Sequence, residues 1–435
     1  MSGAANLVLD MHLGDRIIGE LSFDPATESF AVSYSQDWQQ NGFPISPMIP
    51  LDGTGSSTQI AMFLGNLLPE NRGLDYLIES LGVSRGNTFA LIRAIGLDTA
   101  GAVAFSPKGT ELPQTAFREI SDDEIILRLE EPELWPMEVW DGKPRLSVAG
   151  VQSKLNLFYN GKQFGFGEGA LSSTHILKFE KQRHLVINEF LTMRLAKSIA
   201  MNVANVEIRH FGQHKSLCVE RFDRRYLPAE QRVLRRHIID SCQALGFSVN
   251  KKYERNFGNG RDVRDIREGV SLPRLFALAE QCANPAAAKQ DMLQWTLFNL
   301  LSGNADAHGK NYSFFMTPTG MVPTPWYDLV CVALYEEFEQ ELAMAMAIDD
   351  EFDPDKIYAY QLAAFSEDIG LPRALVSNSL TRMATRISQE IDGVIAMLNG
   401  LDNDEQAFVA SYKAQLLARC ERYLDIAPQI NEMEL

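Results

Sequence analysis

The apolar positions at the start of the chain predict short strands. "NLVLDM" alternates so that Leu7, Leu9 and Met11 face inward, and a turn at Gly14-Asp15 leads to a second strand in "RIIGELSF". "SFAVSYS" predicts a third strand. Residues 58–105 then have mainly helical spacing and end in a short strand within "TAGAVAFSP". The first hundred residues are therefore expected to be β-rich at first and helical afterwards.

A second group of strands follows in the middle of the chain. "LNLFY" and "KQFGF" flank Asn160-Gly161, which is a strong hairpin pattern. "THILKFE" predicts a strand, and "HLVINEFLTMRLAKSIAM" has apolar residues at helical spacing. "VEIRHF" and "SLCVERF" predict two more strands.

From about Ser271 the pattern is mainly helical, except for a predicted hairpin between Asn311 and Asp328 with Gly320 in its turn. Strands with one inserted helix thus precede a helical half that contains a hairpin. This order predicts an α+β, bilobal, protein-kinase-like fold with a β-rich N-terminal region and a mainly helical C-terminal lobe. The predicted domains are an N-terminal subdomain (1–145), kinase N-lobe-like strands with one helix (146–225) and a helical C-terminal lobe (226–435).

Composition narrows the class of protein. The 435 residues are 46% apolar and 22% charged, as in ordinary globular proteins with more than one domain. The net charge of -17 disfavours broad DNA binding by this chain alone. Five scattered cysteines without a CxxC pair indicate free thiols in a reducing compartment. We find no signal peptide or membrane span and expect a cytoplasmic protein without a membrane partner.

The densest chemistry lies in "NADAHGKN", which follows the apolar helix "DMLQWTLFNLLS". Gly303 is predicted to end that helix in a left-handed conformation. Asp306 and Asn311 have the Asp-to-Asn interval of the kinase catalytic loop H-R-D-x-x-x-x-N, although "NAD" replaces H-R-D. Asp306 would accept the hydrogen of a substrate hydroxyl, Asn311 would offer an amide oxygen to Mg²⁺, and Lys310 would approach the transferred phosphoryl group.

Two further positions match a kinase. Asp328 follows the predicted hairpin, where kinases place a metal-binding Asp, but Leu329-Val330 stand where D-F-G would continue. A helix or turn cap is the alternative for Asp328. Lys178 lies among apolar residues of a predicted strand, where it needs a partner, and Glu189 on the next helix is the candidate. A snorkelling lysine on an edge strand and a solvated glutamate are the alternative.

Two segments offer backbone contacts to a nucleotide. In "RLSVAGVQSKL" the N–H groups from Ala149 to Lys154 could cradle phosphate, and a strand with a small-residue bend is the alternative. In "CVERFDRR" the backbone from Glu220 to Phe222 could hold adenine, and an ion-paired surface strand end is the alternative.

Taken together and in order, these segments resemble the HipA family, which are bacterial serine/threonine kinases acting as the toxin of a type II toxin–antitoxin pair. The resemblance extends over nearly the whole chain. It is carried by "FLGNLLPENR", "GLDTAGAVAFSP", "SVAGVQSK", "THILKF", "NEFLTMRLAK", "VERFDRR", "NADAHGKN" and "YDL".

The resemblance implies a role for each matching residue. Asp306 matches the catalytic aspartate, Asn311 and Asp328 match the magnesium ligands, and Ser147 matches a serine whose self-phosphorylation inactivates the kinase. The residues that match the family's ATP-binding positions are Ala149, Gly150, Val151, Gln152, Ser153, Lys154, Lys178, Glu220, Arg221, Phe222, His308, Gly309, Lys310, Asn311, Tyr327 and Asp328. A phosphoserine adjacent to the phosphate-binding loop would repel the phosphates of ATP.

The resemblance also implies partners. These are ATP with Mg²⁺, a small helix-turn-helix antitoxin of the HipB type, operator DNA contacted mainly through that antitoxin, and an aminoacyl-tRNA synthetase as protein substrate. Two other classes stay open on the residues alone. One is a small-molecule or lipid kinase, and the other is a non-catalytic member that serves only as co-repressor.

Overall fold

The structure, a computed structural model, describes residues 7–70, 72–97, 99–137, 139–144, 154–180, 182–335 and 342–435. The strands are β1 (Leu7–Leu13), β2 (Arg16–Asp24), β3 (Ser29–Tyr34), β4 (Val103–Pro107), β5 (Ala116–Glu119), β6 (Val139–Trp140), β7 (Lys143–Pro144), β8 (Lys154–Tyr159), β9 (Phe164–Glu168), β10 (His175–Phe179), β11 (Val206–Phe211), β12 (His214–Glu220), β13 (Arg224–Leu227), β14 (Arg232–Arg235), β15 (Ile238–Asp240), β16 (Ser313–Thr317) and β17 (Gly320–Pro323). The α-helices are α1 (Gln36–Asn41), α2 (Ser57–Leu67), α3 (Arg72–Leu81), α4 (Thr88–Ile95), α5 (Asp122–Glu130), α6 (Leu185–Ser198), α7 (Ser241–Leu245), α8 (Leu272–Ala277), α9 (Pro285–Ser302), α10 (Ala359–Asp368), α11 (Arg373–Ile395) and α12 (Asn403–Ile426).

The described residues form two compact units that are discontinuous in sequence. The first takes its residues from 1–181, 207–249 and 314–321, and the second from 182–206, 250–313 and 322–435. The predicted boundaries after 145 and 225 instead divide the chain into consecutive pieces, and they stay a prediction. The β-rich beginning and the mainly helical C-terminal part are confirmed.

In the first unit, the N-terminal residues form an antiparallel sheet in the order β3-β2-β1-β4. Leu9 and Met11 are buried in it, as their alternation predicts. Leu7 is 40% exposed, so its predicted inward position is wrong. The reason is the register, because β4 pairs with β1 only from Leu9 onward and leaves the first residues of β1 without a neighbour on that side.

The second sheet of the first unit has the order β11-β12-β10-β8-β9-β5 among the described strands. The predicted hairpin around Asn160-Gly161 is confirmed and joins β8 to β9. One face of the sheet packs into an apolar cluster. That cluster includes Leu155, Leu157, Leu177, Phe179 and Cys218. Because side chains alternate along a strand, Lys154, Asn156 and Lys178 lie on the opposite face.

The second unit is organised around α9, which packs against α11 and α12. The Asn284 side chain accepts a hydrogen bond from the Ala287 N–H at 3.1 Å and caps the start of α9, with Pro285 at its first position. Gly303 ends the helix with φ 72°, which confirms the predicted left-handed cap. A Cβ at this position would lie 2.7 Å from the guanidinium carbon of Arg419. The chain therefore leaves a rigid helix directly into the loop that contains Asp306.

The hairpin predicted between Asn311 and Asp328 is present as β16 and β17, in a three-stranded sheet of order β15-β16-β17. Gly320, which was predicted in the turn, is instead the first residue of β17. Its φ of 117° is a conformation that favours glycine. Within the described ranges, no helix is long and apolar enough to span a bilayer.

Candidate active site

The loop from Asp306 to Asn311 is closed by its own hydrogen bonds. The His308 N–H donates to the Asp306 carbonyl at 2.8 Å, and the Asn311 N–H donates to the His308 carbonyl at 2.8 Å. The Asn311 side-chain Nδ2 also donates to the Asp306 carbonyl, at 3.1 Å. This bond uses the nitrogen end of the Asn311 amide, so its oxygen is the atom that would be offered to a cation. The Asp306 side chain itself is exposed.

The imidazole of His308 is buried, and both candidate carboxylates act on its charge. Burial lowers the pKa of His308, the Asp306 and Asp328 carboxylates oppose that shift, and the Lys252 ammonium adds to it. The Lys310 N–H points at His308 Nδ1 at 3.3 Å, which makes Nδ1 an acceptor in a neutral ring. Both carboxylates are therefore close enough to the His308 ring to oppose the shift of its pKa.

The backbone of Asp328 has a conformation that is unusual for a residue other than glycine. Its φ is 59°, in the left-handed region that costs a non-glycine residue roughly 1 kcal/mol. The next helical turn covers Val332–Leu334 and is capped at Cys331, so Asp328 is not a helix cap. The preceding Tyr327 hydroxyl donates to the Lys310 carbonyl at 2.7 Å and bonds the Ser313 hydroxyl at 2.6 Å. Tyr327 thus ties the segment that holds Asp328 to the end of the catalytic loop.

Tyr253 is a member of this site that the sequence did not predict. Its hydroxyl donates to Asp306 Oδ1 at 2.7 Å, and its ring meets the His308 ring edge-on with centroids 5.0 Å apart. Tyr253 precedes Asp306 by 53 positions, in a polar segment without strand or helix periodicity. No spacing in the sequence connects the two residues.

In the first unit, the structure places Lys178 on an interior strand. β10 lies between β12 and β8, so the edge-strand alternative for this lysine is wrong. Lys178 is 9% exposed and stands directly opposite Lys154 in the β8–β10 register. Glu189 on α6 is also buried, but it belongs to the second unit, and its pairing with Lys178 stays a prediction.

The Lys154–Lys178 face suits an anionic ligand. Two lysine side chains at directly opposite positions could give charge-assisted hydrogen bonds to phosphate oxygens. Asn156 lies on the same face, opposite Ile176. Its Oδ1 is buried with no hydrogen-bond partner among the described residues, which costs roughly 1–3 kcal/mol. A donor on a bound nucleotide would satisfy that oxygen.

The segment from Glu220 to Phe222 lies at the end of β12. Glu220 is exposed and pairs with His175. The Arg221 guanidinium is buried and donates to both oxygens of Asp223, whereas the backbone N–H of Arg221 donates to the Thr174 carbonyl at 2.9 Å. Adenine recognition here would therefore use backbone groups of Glu220 and Phe222, not the Arg221 side chain. The ion-paired alternative holds for the side chain of Arg221, which is buried and not on the surface.

Several predicted residues lie outside the described residues. They are Ser147, Ala149, Gly150, Val151, Gln152 and Ser153. The described candidates form two groups. Lys154, Lys178, Glu220, Arg221 and Phe222 belong to the first unit. His308, Gly309, Lys310, Asn311, Tyr327 and Asp328 join Asp306 in the second.

A magnesium site in the second unit would be incomplete without phosphate. In the part of the chain that the structure describes, no three His, Cys, Asp or Glu side chains gather as a metal site. Asn311 and Asp328 nevertheless offer the hard oxygen donors that Mg²⁺ prefers, and this ion commonly takes its other ligands from substrate phosphates and water. The donor set therefore fits Mg²⁺ delivered with a nucleotide.

A catalytic loop with an Asp-to-Asn interval, a second Asp beyond a hairpin and a lysine on an interior strand together define a kinase. Residues 146–391 match the model of the HipA-like C-terminal domain, and residues 9–106 match that of the HipA N-terminal domain. The chain belongs to the HipA family of serine/threonine-protein kinase toxins.

Individual relatives agree with this assignment. The serine/threonine-protein kinase toxin HipA of Shewanella oneidensis is 73% identical over 435 residues, which is 100% of both chains. The Y4mE protein of Sinorhizobium fredii is 32% identical over 403 residues, which cover 89% of this chain and 92% of Y4mE. A solved complex of Shewanella oneidensis HipA with HipB and operator DNA matches with a TM-score of 0.93 at 73% identity, over 98% of this chain and 100% of that one.

Proposed function

We propose that this kinase transfers the γ-phosphoryl group of ATP to a serine or threonine hydroxyl of a protein, with Asp306 as the catalytic residue. The observation that carries this proposal is the loop geometry. An exposed carboxylate stands on a hydrogen-bonded loop, while Asn311 and Asp328 offer oxygen ligands at the same site.

In the transfer, Asp306 accepts the hydrogen bond of the substrate hydroxyl and orients its oxygen for attack. A bond forms between that oxygen and the γ-phosphorus, the bond from the γ-phosphorus to the ADP oxygen breaks, and the hydroxyl proton passes to the carboxylate. Lys310 lies within this loop and would stabilise charge on the transferred group.

By the family resemblance, each unit offers groups that suit parts of a nucleotide. Lys154 and Lys178 supply positive charge for its phosphates, and backbone groups at Glu220 and Phe222 suit the adenine. Asn311 and Asp328 would hold Mg²⁺, which neutralises phosphate charge when it is bound. Ala149 to Ser153 complete the phosphate contacts by family resemblance.

Asp306→Asn tests this assignment. Phosphoryl transfer should fall by about 10²–10⁴-fold, since an amide cannot accept the proton. Release of ADP from Mg·ATP and transfer of ³²P from γ-labelled ATP are the measurements. Asp425→Asn is the matched control, because Asp425 is exposed on α12, and it should keep full activity. Activity retained in Asp306→Asn would remove Asp306 from the mechanism.

We further propose that phosphorylation of Ser147 inactivates the enzyme. The support is the family resemblance and the position of Ser147 just before the candidate phosphate-binding residues, where about two added negative charges would repel ATP. Ser147→Ala should bind ATP normally and stay active after incubation with Mg·ATP, whereas the unaltered chain should gain one phosphate by mass spectrometry and lose activity. If Ser147→Ala cannot bind ATP, the serine is structural.

We propose that the chain also binds a HipB-type antitoxin and, through it, operator DNA as a co-repressor. The support is the HipA–HipB–operator complex of the 73% identical relative, together with the acidic charge of this chain. In gel-shift experiments the chain alone should leave operator DNA unshifted, and addition of the antitoxin should yield a ternary complex. Asp306→Asn should assemble equally well, because assembly does not require transfer. A kinase-dead variant that still arrested growth would instead favour the non-catalytic alternative.

As the protein substrate we propose an aminoacyl-tRNA synthetase in the cytoplasm, on the strength of the family resemblance. Incubation of purified synthetases with the chain and γ-labelled ATP should label one of them on serine or threonine and stop its aminoacylation. Label on a small molecule or lipid with none on protein would favour the other kinase class.

A further inference from the structure

A tyrosine outside the predicted site contacts the candidate catalytic carboxylate. The Tyr253 hydroxyl donates to Asp306 Oδ1 at 2.7 Å, while the edge-on contact with His308 at 5.0 Å fixes the direction of the ring. Both contacts involve the loop that would perform the transfer. The phenol therefore touches the reacting side of the loop and not only its scaffold.

The backbone on the N-terminal side of Tyr253 is bonded to the catalytic loop itself. The Gly309 N–H donates to the Lys252 carbonyl at 2.9 Å. The approach is so close that a Cβ at Gly309 would lie 2.5 Å from the Val270 side chain, and the Val270 N–H in turn donates to the Lys251 carbonyl at 2.9 Å. These contacts hold the backbone beside Tyr253 against the catalytic loop.

The backbone on the C-terminal side of Tyr253 is held by a buried carboxylate. Glu254 is 2% exposed, accepts the Ala347 N–H at 2.8 Å and bonds Arg267 Nε at 2.7 Å. The Glu254 N–H donates to the Ala345 carbonyl, and the Ala345 N–H donates to the Ala305 carbonyl next to Asp306. Tyr253 is thus fixed at both ends to residues that adjoin the catalytic aspartate.

The geometry distinguishes two roles for the Tyr253 hydroxyl, which are a mimic of the substrate hydroxyl and a group that positions Asp306. A hydroxyl that mimicked the substrate would have to leave Asp306 before each transfer, which requires a mobile segment. Tyr253 instead sits between two anchored neighbours. Its bond also uses only Oδ1, so that Oδ2 stays available to a substrate hydroxyl.

We infer that Tyr253 is a positioning residue, whose hydroxyl holds Oδ1 of Asp306 so that Oδ2 faces the acceptor hydroxyl. The inference rests on the proposed role of Asp306. A carboxylate that rotates freely spends less time in the productive orientation, and small misplacements of a reacting group are costly in rate. The phenol removes that freedom.

Tyr253→Phe removes the hydroxyl and keeps the ring contact with His308. We expect kcat for ADP release from Mg·ATP to fall about tenfold, with KM for ATP unchanged, since only the carboxylate's orientation is lost. Incorporation of 4-aminophenylalanine at position 253 restores a donor at the same place and should recover most of the rate. Tyr360→Phe is the control, because Tyr360 is 48% exposed on α10, and it should behave as the unaltered chain.

The outcomes separate this inference from the proposed function. If Asp306→Asn abolishes ADP release and Tyr253→Phe leaves kcat within twofold, the positioning role is wrong while the catalytic aspartate stands. A rise in kcat for Tyr253→Phe would show that the hydroxyl occupies the acceptor's place. If Asp306→Asn is itself active, the proposed catalytic role of Asp306 is wrong, whatever the activity of Tyr253→Phe. A fall in kcat that the amino analogue does not recover would assign Tyr253 to the fold alone.

Discussion

Two charged segments that look alike in the sequence are used in opposite ways. "ERFDRR" in the first unit buries Arg221, Asp223 and Arg224 in an ion-pair cluster. Asp223 is 2% exposed and receives the Arg221 guanidinium on both oxygens, at 3.0 and 2.9 Å, with Arg224 bonded to the same carboxylate. "NADAHGKN" in the second unit instead presents Asp306 to solvent and closes its loop with backbone and amide groups.

The difference shows that charge density does not identify the reactive residue. Burial alone would raise the pKa of Asp223, but Arg221 and Arg224 outweigh burial and lower it to about 2. A carboxylate held that firmly by two guanidinium groups has no capacity left to accept a substrate proton. Among the described residues, the Asp306 carboxylate accepts a side-chain hydrogen bond from one phenol hydroxyl, on Oδ1.

The largest expected difference between the two segments is in the unfolding free energies of Asp223→Asn and Asp306→Asn. Loss of the Asp223 charge leaves two buried guanidinium groups uncompensated and should cost about 3–5 kcal/mol of unfolding free energy. Asp306→Asn should change stability by less than about 1 kcal/mol, because its side chain is exposed. Urea unfolding followed by circular dichroism measures both. Equal stability of the two variants would contradict the structural role of the Asp223 cluster.

The dependence of the unfolding free energy on pH should show the effect of a buried histidine in the first unit, His237. Burial lowers the pKa of His237 to about 4, with Nε2 at 2.8 Å from the Ile45 carbonyl. Since the folded pKa lies below the unfolded value of 6.5, the native state binds fewer protons, and its stabilisation is complete above pH 6.5 and lost as the pH falls toward 4. The loss should be on the order of 3 kcal/mol.

The attribution to His237 can be checked with His237→Gln, which keeps an N–H donor for the Ile45 carbonyl. This variant should show a flatter dependence of the unfolding free energy between pH 6.5 and 4. An unchanged slope would assign the acid sensitivity to other groups, such as His308 in the second unit, whose pKa burial also lowers.

A smaller effect is expected at Tyr327, which joins Asp328 to the catalytic loop. Tyr327→Phe removes the hydrogen bonds to the Lys310 carbonyl and the Ser313 hydroxyl. Stability should fall by about 1 kcal/mol, in the range of single hydrogen bonds. The affinity for Mg·ATP, measured by calorimetry, should fall too, because Asp328 loses its support. Unchanged affinity would separate Tyr327 from the nucleotide site.

The smallest expected change is a gain in stability at Asp328. Asp328→Gly relieves the left-handed backbone at φ 59° and should stabilise the fold by up to about 1 kcal/mol. The same change removes a candidate Mg²⁺ ligand and should abolish transfer. A variant that gained stability and kept its activity would show that Asp328 is only a turn residue.

Much of the architecture could be predicted because periodicity reports burial directly. The alternation in β1 placed Leu9 and Met11 in the core, and Gly303 marked the end of α9. The β13–β14 pair was not predicted, since charged residues at both of its ends obscure any alternation. Leu7 was misplaced because its exposure depends on where a partner strand stops.

The sequence by itself determined most of the order of strands and helices and the Asp306-to-Asn311 interval, since these depend on local spacing. Its motifs also carry the resemblance to the HipA family. Only the tertiary structure decided which charges are paired and buried and which are presented. The Arg221–Asp223 pair and the Tyr253–Asp306 hydrogen bond show this, the latter between residues 53 positions apart. A hydrogen bond between residues far apart in the sequence depends on their distance in space, which spacing along the chain does not encode.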